Sequence, residues 1–284
     1  MQKSGVLIMQ HKERFKVATV QINSFLGEVE KNLERAVGYI RQAAEQGADI
    51  VLFPELYLQG YCAEQLLTET SETIPGPTSD IILKESKNHN IYVVIGMARK
   101  DIGYPHLVYN SALFTGPDGM TEYYDKIHLG TFHPYTEGVY FAPGNRIPVF
   151  NTRLGPMSIQ ICYDVFFPEL TRTFAIKGAL ANLVISAGPD AFRDSWKVML
   201  RARAIENALP TIYCNVVGKQ KNFSFFGGSM VIDAVGGITG EAKYNEEDIL
   251  YADVDISAAI NIRQRSLLYR DRRIDLYQEL ISTK

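Results

Sequence analysis

From Phe15 onward the sequence alternates between apolar segments typical of β-strands and amphipathic segments typical of α-helices. FKVATVQI, DIVLF and IYVVIGMA are short, apolar and rich in β-branched residues, as expected of buried strands. After the first of them, apolar and small residues recur at helical spacing from Leu33 to Gly47, which predicts an amphipathic helix. Such alternation predicts an α/β fold whose helices cover the outer faces of its sheets. Periodicity alone does not decide between one sheet and two packed together.

The same alternation continues through the second half of the chain. LVYNSALFT and MTEYYDK flank the turn signal PDG and predict an antiparallel hairpin. MSIQIC, NLVISA and TIYCNVVG are strand candidates, with helices predicted from about Pro168 and near 192–208. No Ser/Gly linker or internal repeat divides the sequence. We therefore predict one domain over residues 14–284, preceded by a loosely held extension at residues 1–13.

Composition and charge argue against several classes of function. The 46% hydrophobic content supports a sizeable core, and a net charge of −3 with scattered basic residues argues against a nucleic-acid surface. The 3 cysteines, at positions 62, 162 and 214, lack zinc-like spacing and make a disulfide framework or metal site unexpected. The early apolar run VLIM is too short for a signal peptide, and no span approaches transmembrane length. We expect a cytoplasmic protein that binds neither nucleic acid nor membrane.

Three chemically reactive side chains lie at the ends of strand-like segments. Cys162 ends the run MSIQIC and precedes a helix candidate, while Glu55 follows DIVLFP and Lys126 follows TEYYD. A thiol at such a strand-to-helix corner is expected to be exposed and close to helix N–H groups, which favour an anion. The thiolate is the form of cysteine that attacks carbon. The pattern predicts a cysteine nucleophile with a carboxylate and a cation beside it.

These segments resemble the motifs of the nitrilase superfamily of carbon–nitrogen hydrolases. VLFPELYLQGY is similar to the first-glutamate motif of that superfamily, YYDKIHL to its lysine motif and ICYDVFFPEL to its cysteine motif. HPYTEGVYFAPG resembles the loop that carries a second glutamate, which is Glu137 here. The resemblance runs from about residue 15 to the C-terminal helix, with the motifs in the same order. It implies an α-β-β-α four-layer sandwich of two mixed sheets flanked by helices, assembled as homodimers or larger homo-oligomers.

The resemblance also implies a role for each candidate residue. Cys162 would be the nucleophile and Glu55 the general base, its pKa raised because it lies just beyond an apolar strand. Lys126 would stabilise the thiolate and the oxyanion, with the backbone N–H of Tyr163 as a second donor. Glu137 would position the substrate or Lys126. This chemistry calls for no metal or organic cofactor.

The substrate is less constrained than the chemistry. The tripeptide CYD is closer to the amidase and carbamoyl-hydrolase branches than to the nitrile-cleaving branch, so we expect a small amide or N-carbamoyl compound. Nitrile hydrolysis, acyl transfer to an amine and a non-catalytic binding or assembly role remain alternatives. Tyr61, Tyr135, Phe166 and Phe192 are candidates for the acyl pocket, although aromatic residues are equally common in cores. Asp164 either contacts a substrate amine or caps the following helix.

The other reactive side chains are interpreted as structural. Cys62 and Cys214 are predicted to be core cysteines. His128 and His133 allow a cysteine–histidine pair, but His128 follows the lysine by two residues and is expected to face away from the same cavity. The Arg-rich segment INIRQRSLLYRDRRIDLYQEL is either a partner-binding arm or a solvated amphipathic helix, and the resemblance favours a role in the dimer.

Overall fold

The computed structural model describes residues 11–282, so residues 1–10 of the predicted extension lie outside the described residues. The strands in the described part are β1 (Arg14–Gln21), β2 (Ile50–Leu52), β3 (Tyr92–Lys100), β4 (Val108–Thr115), β5 (Thr121–Asp125), β6 (Phe150–Thr152), β7 (Gly155–Ile161), β8 (Ala181–Ser186), β9 (Thr211–Asn215), β10 (Val217–Gln220), β11 (Phe223–Phe226), β12 (Met230–Ile232), β13 (Ile238–Glu241) and β14 (Asp248–Asp255). The helices are α1 (Val29–Glu45), α2 (Leu66–Glu69), α3 (Pro77–His89), α4 (Glu137–Tyr140), α5 (Pro168–Ile176), α6 (Arg193–Asn207), α7 (Ser257–Arg265) and α8 (Glu279–Ser282). No helix within residues 11–282 combines the length and apolar character needed to cross a membrane.

The strands of residues 11–282 form two six-stranded mixed sheets and a separate hairpin of β10 and β11. The first sheet has the order β14-β1-β2-β3-β4-β5, with β1, β2 and β3 parallel. The second has the order β13-β12-β9-β8-β7-β6, with β7, β8 and β9 parallel. The predicted hairpin is confirmed, because β4 and β5 pair antiparallel. Sequence periodicity did not decide between one sheet and two, and the structure has two six-stranded sheets.

Alternation along the strands sends side chains into two separate cores. In β2, Leu52 belongs to the core shared with the second sheet, whereas Val51 packs with apolar residues of α1 and α3 such as Ile40 and Ile82. On the other side of the molecule, α5 and α6 cover the second sheet and pack on its core through residues such as Phe174. The order helices, sheet, sheet, helices confirms the predicted α-β-β-α sandwich.

Candidate active site

Glu55 follows β2 after Phe53 and Pro54, and its side chain is fully buried. The backbone that carries it crosses directly over Gly96 of β3. A Cβ atom at Gly96 would lie 2.3 Å from the carbonyl oxygen of Pro54 and 2.7 Å from the Cα of Glu55. Because glycine alone lacks that atom, it allows the close approach of the two backbones. The Gly96 N–H also donates to the Pro54 carbonyl at 3.2 Å, which fixes the segment in place.

We expect Gly96→Ala to impair both stability and catalysis, because the added methyl group forces the Glu55 backbone outward. The free energy of unfolding should fall by roughly 1–3 kcal/mol, the range for overpacking, and kcat/KM should fall at least about tenfold as the carboxylate moves. Urea unfolding and steady-state kinetics measure the two effects. Gly38→Ala is the matched control, since Gly38 is exposed in α1 with no atom within 4 Å of an added Cβ. Wild-type stability and activity in Gly96→Ala would contradict this interpretation.

Lys126 leaves the end of β5 and places its ammonium group between two buried carboxylates. Its Nζ atom lies 2.7 Å from Oε1 of Glu55 and 2.8 Å from Oε1 of Glu137. The Tyr61 hydroxyl donates to Oε1 of Glu137 at 2.7 Å, and the Gly130 N–H donates to Oε2 at 3.2 Å. With all three groups ionised, this buried cluster carries one net negative charge. A buried cluster of this kind needs hydrogen bonds to its carboxylates, and each oxygen of Glu55 and Glu137 accepts at least one.

Two further groups hold the Glu55 carboxylate, and neither was predicted from the sequence. The side-chain amide of Asn110 donates to Oε1 at 2.7 Å, and the backbone N–H of Ala187 donates to Oε2 at 2.7 Å. Asn110 lies in β4 of the first sheet, whereas Ala187 follows β8 of the second. The carboxylate is therefore fixed by both sheets. A polar Asn inside the apolar run LVYNSALFT is the one sequence signal that could have indicated this contact.

The environment shifts the pKa values of Glu55 and Lys126 in useful directions. Burial raises the pKa of Glu55, and the attraction of Lys126 opposes this only in part. Burial by itself lowers the pKa of Lys126, but the carboxylates of Glu137 and Glu55 outweigh it and raise that pKa well above its ordinary value. Lys126 therefore remains an ammonium ion at neutral pH, and Glu55 becomes a stronger base than an exposed carboxylate.

Cys162 directly follows β7 and begins a 3₁₀ turn that leads into α5. Its φ angle of +49° lies in the left-handed region, which is costly for a residue other than glycine and typical of functional sites. The sequence predicted that the side chain is exposed and that it is a thiolate, and both expectations are wrong. The residue is only 9% exposed, and burial, followed by repulsion from Glu55, raises the pKa of the thiol. Lys126 offsets this only in part, so the resting thiol needs a base to remove its proton.

Asp164 caps the 3₁₀ turn that presents Cys162, whereas α5, the helix predicted from about Pro168, begins without a side-chain cap. Its Oδ2 atom accepts the Ile161 N–H at 3.1 Å and the Tyr124 hydroxyl at 2.7 Å. Its Oδ1 atom accepts the His128 N–H at 2.9 Å and lies 2.9 Å from Nδ1 of the same histidine. The carboxylate is fully buried among these donors. It therefore ties the Cys162 turn to the chain that leaves β5, and His128 faces Asp164 rather than the thiol.

A cavity of about 270 Å³ opens onto Cys162. The four aromatic residues predicted for the acyl pocket all line it, and three more aromatic residues complete the wall: Tyr61, Tyr135, Phe166 and Phe192, then Phe132, Tyr163 and Trp196. Glu137 also lines the cavity, whereas Glu55 and Lys126 lie buried beside it. The electrostatic influence of Glu55, Lys126 and Glu137 reaches the thiol. The structure thus brings the predicted residues together around one ligand-sized space.

The remaining cysteines have the positions expected of core residues. Cys214 is fully buried in β9 of the second sheet, with its sulfur 3.3 Å from the Leu52 carbonyl oxygen of the first. Cys62 is also buried, and burial raises the pKa of its thiol to about 11. Among residues 11–282, no three His, Cys, Asp or Glu side chains are grouped as ligands for a metal ion.

Comparisons with known proteins agree with the fold described above. The sequence profile of the carbon-nitrogen hydrolase family matches residues 16–264. The chain therefore belongs to the carbon-nitrogen hydrolase family, and the predicted resemblance to the nitrilase superfamily is confirmed. Membership establishes a hydrolase of carbon–nitrogen bonds, of the general kind that cleaves amides.

Three relatives illustrate the extent of the similarity. The chain is 34% identical over 273 residues to the nitrilase of Pyrococcus abyssi, covering 92% of this chain and 98% of that protein. It is 31% identical over 277 residues to the omega-amidase of Homo sapiens, covering 93% and 96% of the two chains. The crystal structure of a carbon-nitrogen hydrolase from Helicobacter pylori G27 matches with a TM-score of 0.85 at 25% identity, covering 94% and 98%. The similarity thus spans nearly the full length of each protein.

Proposed function

We propose that the protein hydrolyses the amide bond of a small molecule through a thioester on Cys162. The observation that carries this proposal is the buried ammonium group of Lys126, held between Glu55 and Glu137 beside a cysteine in a ligand-sized cavity. The similarity to a protein named omega-amidase supports the choice of an amide.

In the first half-reaction, the Cys162 sulfur attacks the carbonyl carbon of the amide while its proton passes to Glu55. The proton moves between two groups of the same buried site, so this transfer leaves the net charge of the site unchanged. An ammonium group has three donors, and the two carboxylates accept two of them at Lys126. The third donates to the oxyanion, together with the N–H of Tyr163 in the first turn after the nucleophile.

The tetrahedral intermediate then breaks its C–N bond. Protonated Glu55 gives its proton to the leaving nitrogen, so ammonia or an amine departs and Cys162 remains as a thioester. A water molecule transfers a proton to Glu55 and attacks the thioester carbon. Breaking the C–S bond releases the carboxylic acid, and Glu55 returns the proton to the sulfur. Glu137 gains no proton in this sequence and serves to position Lys126.

Ammonia release across a panel of primary amides, N-carbamoyl compounds and nitriles tests the proposal, with Cys162→Ala as the blank. We expect release from amides that is absent in the blank. Release from nitriles alone would support the nitrilase alternative, which the Pyrococcus abyssi relative motivates. Hydroxamate formed in place of acid with added hydroxylamine would indicate acyl transfer. If no compound of the panel releases ammonia, a non-catalytic binding or assembly role would be favoured.

We also propose that the protein is a homodimer or larger homo-oligomer, with the C-terminal segment at the interface. Ile274, Leu276 and Leu280 of this segment are exposed apolar side chains. Leu276→Glu should weaken self-association at least about tenfold, because a charge would replace a buried interface residue. Sedimentation velocity measures the effect, and Ile102→Glu is a control at a similarly exposed site in the β3–β4 connection. A monomeric unmodified protein would contradict the proposal.

A further inference from the structure

Within residues 11–282, the lining of the cavity over Cys162 contains no cationic side chain to pair with an anionic acyl group. Among the described residues that line it, Glu137 is the one acidic or basic side chain, apart from the nucleophile itself. Lys126 lies below the lining, only 1% exposed and engaged by two carboxylates. A carboxylate on the substrate would therefore enter a partly desolvated space next to two carboxyl groups that share one ammonium group. Both desolvation and repulsion disfavour that arrangement.

Cations in the segments next to the cavity are already occupied by acids. Arg193, which follows the cavity residue Phe192, pairs with Asp190, and its guanidinium group lies 5.0 Å from the ring centroid of Tyr244. Lys221 pairs with Glu64 at 2.7 Å. Neither side chain lines the space above the thiol, and Lys221 instead lines an adjoining cavity that shares Tyr61, Tyr135 and Glu137 with it. These pairs leave the aromatic surface as the dominant recognition element.

The aromatic lining forms a continuous wall from the mouth of the cavity to its floor. Phe132 at the mouth packs against Tyr163 with ring centroids 5.3 Å apart, and Tyr163 packs against Phe166 at 5.2 Å. Phe166 meets the ring of Trp196 edge-on at 5.5 Å. Phe132 is 45% exposed and Phe192 41% exposed, whereas Trp196 is only 2% exposed. Ring faces and edges at these spacings are suited to receive another aromatic ring.

We infer that the substrate is a primary amide whose acyl group is uncharged and aromatic, such as an arylacetamide. The inference rests on the proposed function, since it assigns the acyl group that Cys162 would carry as a thioester. The ring would lie along the wall formed by Tyr163, Phe166 and Trp196, with the amide carbon at the thiol. The exposed rings of Phe132 and Phe192 would contact its outer edge.

The inference is tested by measuring the hydrolysis of three amides, phenylacetamide, propionamide and succinamate, with Cys162→Ala as the blank. We expect kcat/KM for phenylacetamide to exceed that for propionamide by about tenfold or more, and that for succinamate by about 100-fold or more. Comparable or better turnover of succinamate would overturn the aromatic, uncharged assignment while leaving amide hydrolysis intact. Turnover of none of the three above the blank would count against the proposed function and the inference together.

A variant at the mouth of the cavity links the preference to its lining. Phe192→Ala should lower the ratio of kcat/KM for phenylacetamide to that for propionamide by about tenfold, because the ring contact is lost. Tyr104→Ala is the control, since Tyr104 is exposed in the β3–β4 connection and does not line the cavity. An unchanged ratio in Phe192→Ala would contradict the placement of the ring.

Alkylation of Cys162 tests the charge selectivity without requiring turnover. Iodoacetamide and iodoacetate are similar in size, and each forms a C–S bond while releasing iodide and the thiol proton. We compare the alkylation rate with iodoacetamide divided by the rate with iodoacetate. This ratio should be at least about tenfold larger at Cys162 than for glutathione, because the site repels the anion. Peptide mass spectrometry follows the modification. A ratio equal to that of glutathione would overturn the inference even if amides are hydrolysed.

Discussion

Cys162→Ala is expected to abolish amide hydrolysis and leave the fold intact. The substitution removes one sulfur atom, and alanine has the same backbone requirement at the φ of +49°. Because Cys162 borders a cavity, little packing is lost. Without the nucleophile no thioester forms, so kcat/KM should fall by at least about 10⁴-fold. Steady-state ammonia release and urea unfolding measure the two quantities.

Cys214→Ala provides a matched control for that experiment. Cys214 is fully buried between the sheets, so the same loss of sulfur should cost roughly 1 kcal/mol of stability through the cavity it leaves. Activity should persist, because this thiol lies in the core. The two variants should thus separate stability from catalysis. Residual turnover in Cys162→Ala, or lost turnover in a folded Cys214→Ala protein, would contradict the assignment of the nucleophile.

Lys126→Ala is expected to damage both catalysis and stability. The oxyanion loses its cation, which should lower kcat/KM by at least about 10³-fold. The carboxylates of Glu55 and Glu137 are also left buried without the ammonium group between them. Removing one partner of a buried ion pair typically costs about 3–5 kcal/mol. Urea unfolding and kinetics of the variant measure both effects.

The stability loss in Lys126→Ala should depend on pH. Burial already raises the pKa of Glu55 in the intact site, and removal of the cation that opposes this raises it further. A carboxyl group with a raised folded-state pKa binds protons more tightly in the folded protein than in the unfolded chain. The unfolded chains of the variant and of the intact protein titrate alike at this group, so the loss is smallest at acidic pH and grows as pH rises past the raised pKa of Glu55 in the intact protein. A loss that is independent of pH would contradict an unpaired carboxylate as its cause.

Three further variants separate the effect of buried charge on stability from the effect on catalysis. Lys126→Ala combined with Glu137→Gln should recover part of the stability without recovering activity, because one buried charge is removed while the oxyanion still lacks its cation. Glu55→Gln should also cost several orders of magnitude in activity. Its combination with Cys162→Ala should cost little beyond the single alanine variant, because the residues act as a unit.

The sequence was sufficient to predict that Glu55, Lys126 and Cys162 come together in one site. Glu55, Lys126 and Cys162 each follow the end of a strand, and strand ends of an α/β fold are where functional groups gather. The aromatic lining could also be anticipated, since Phe166 lies four residues after the nucleophile and Tyr61 six after the glutamate. The local residue patterns and the order of the motifs were enough to make these predictions.

Sequence pattern could not predict how the two sheets share the site. The donors to Glu55 come from Asn110 in one sheet and Ala187 beside the other, and no spacing along the chain links them. The pKa of the Cys162 thiol likewise depends on residues distant in sequence, namely Glu55, Lys126 and Glu137. Asp164 could be assigned as a cap only once Tyr124 and His128 were seen to donate to it. These features arise from packing between elements rather than within them.

The central claim is a covalent thioester on Cys162, and rapid-quench mass spectrometry tests it most directly. The wild-type protein is mixed with the best amide of the panel, quenched in acid within one turnover and digested. The account predicts that the Cys162 peptide gains the mass of the acyl group in place of one hydrogen, while the Cys62 and Cys214 peptides are unchanged. Turnover without an adduct on Cys162, or with the adduct on another cysteine, would contradict it.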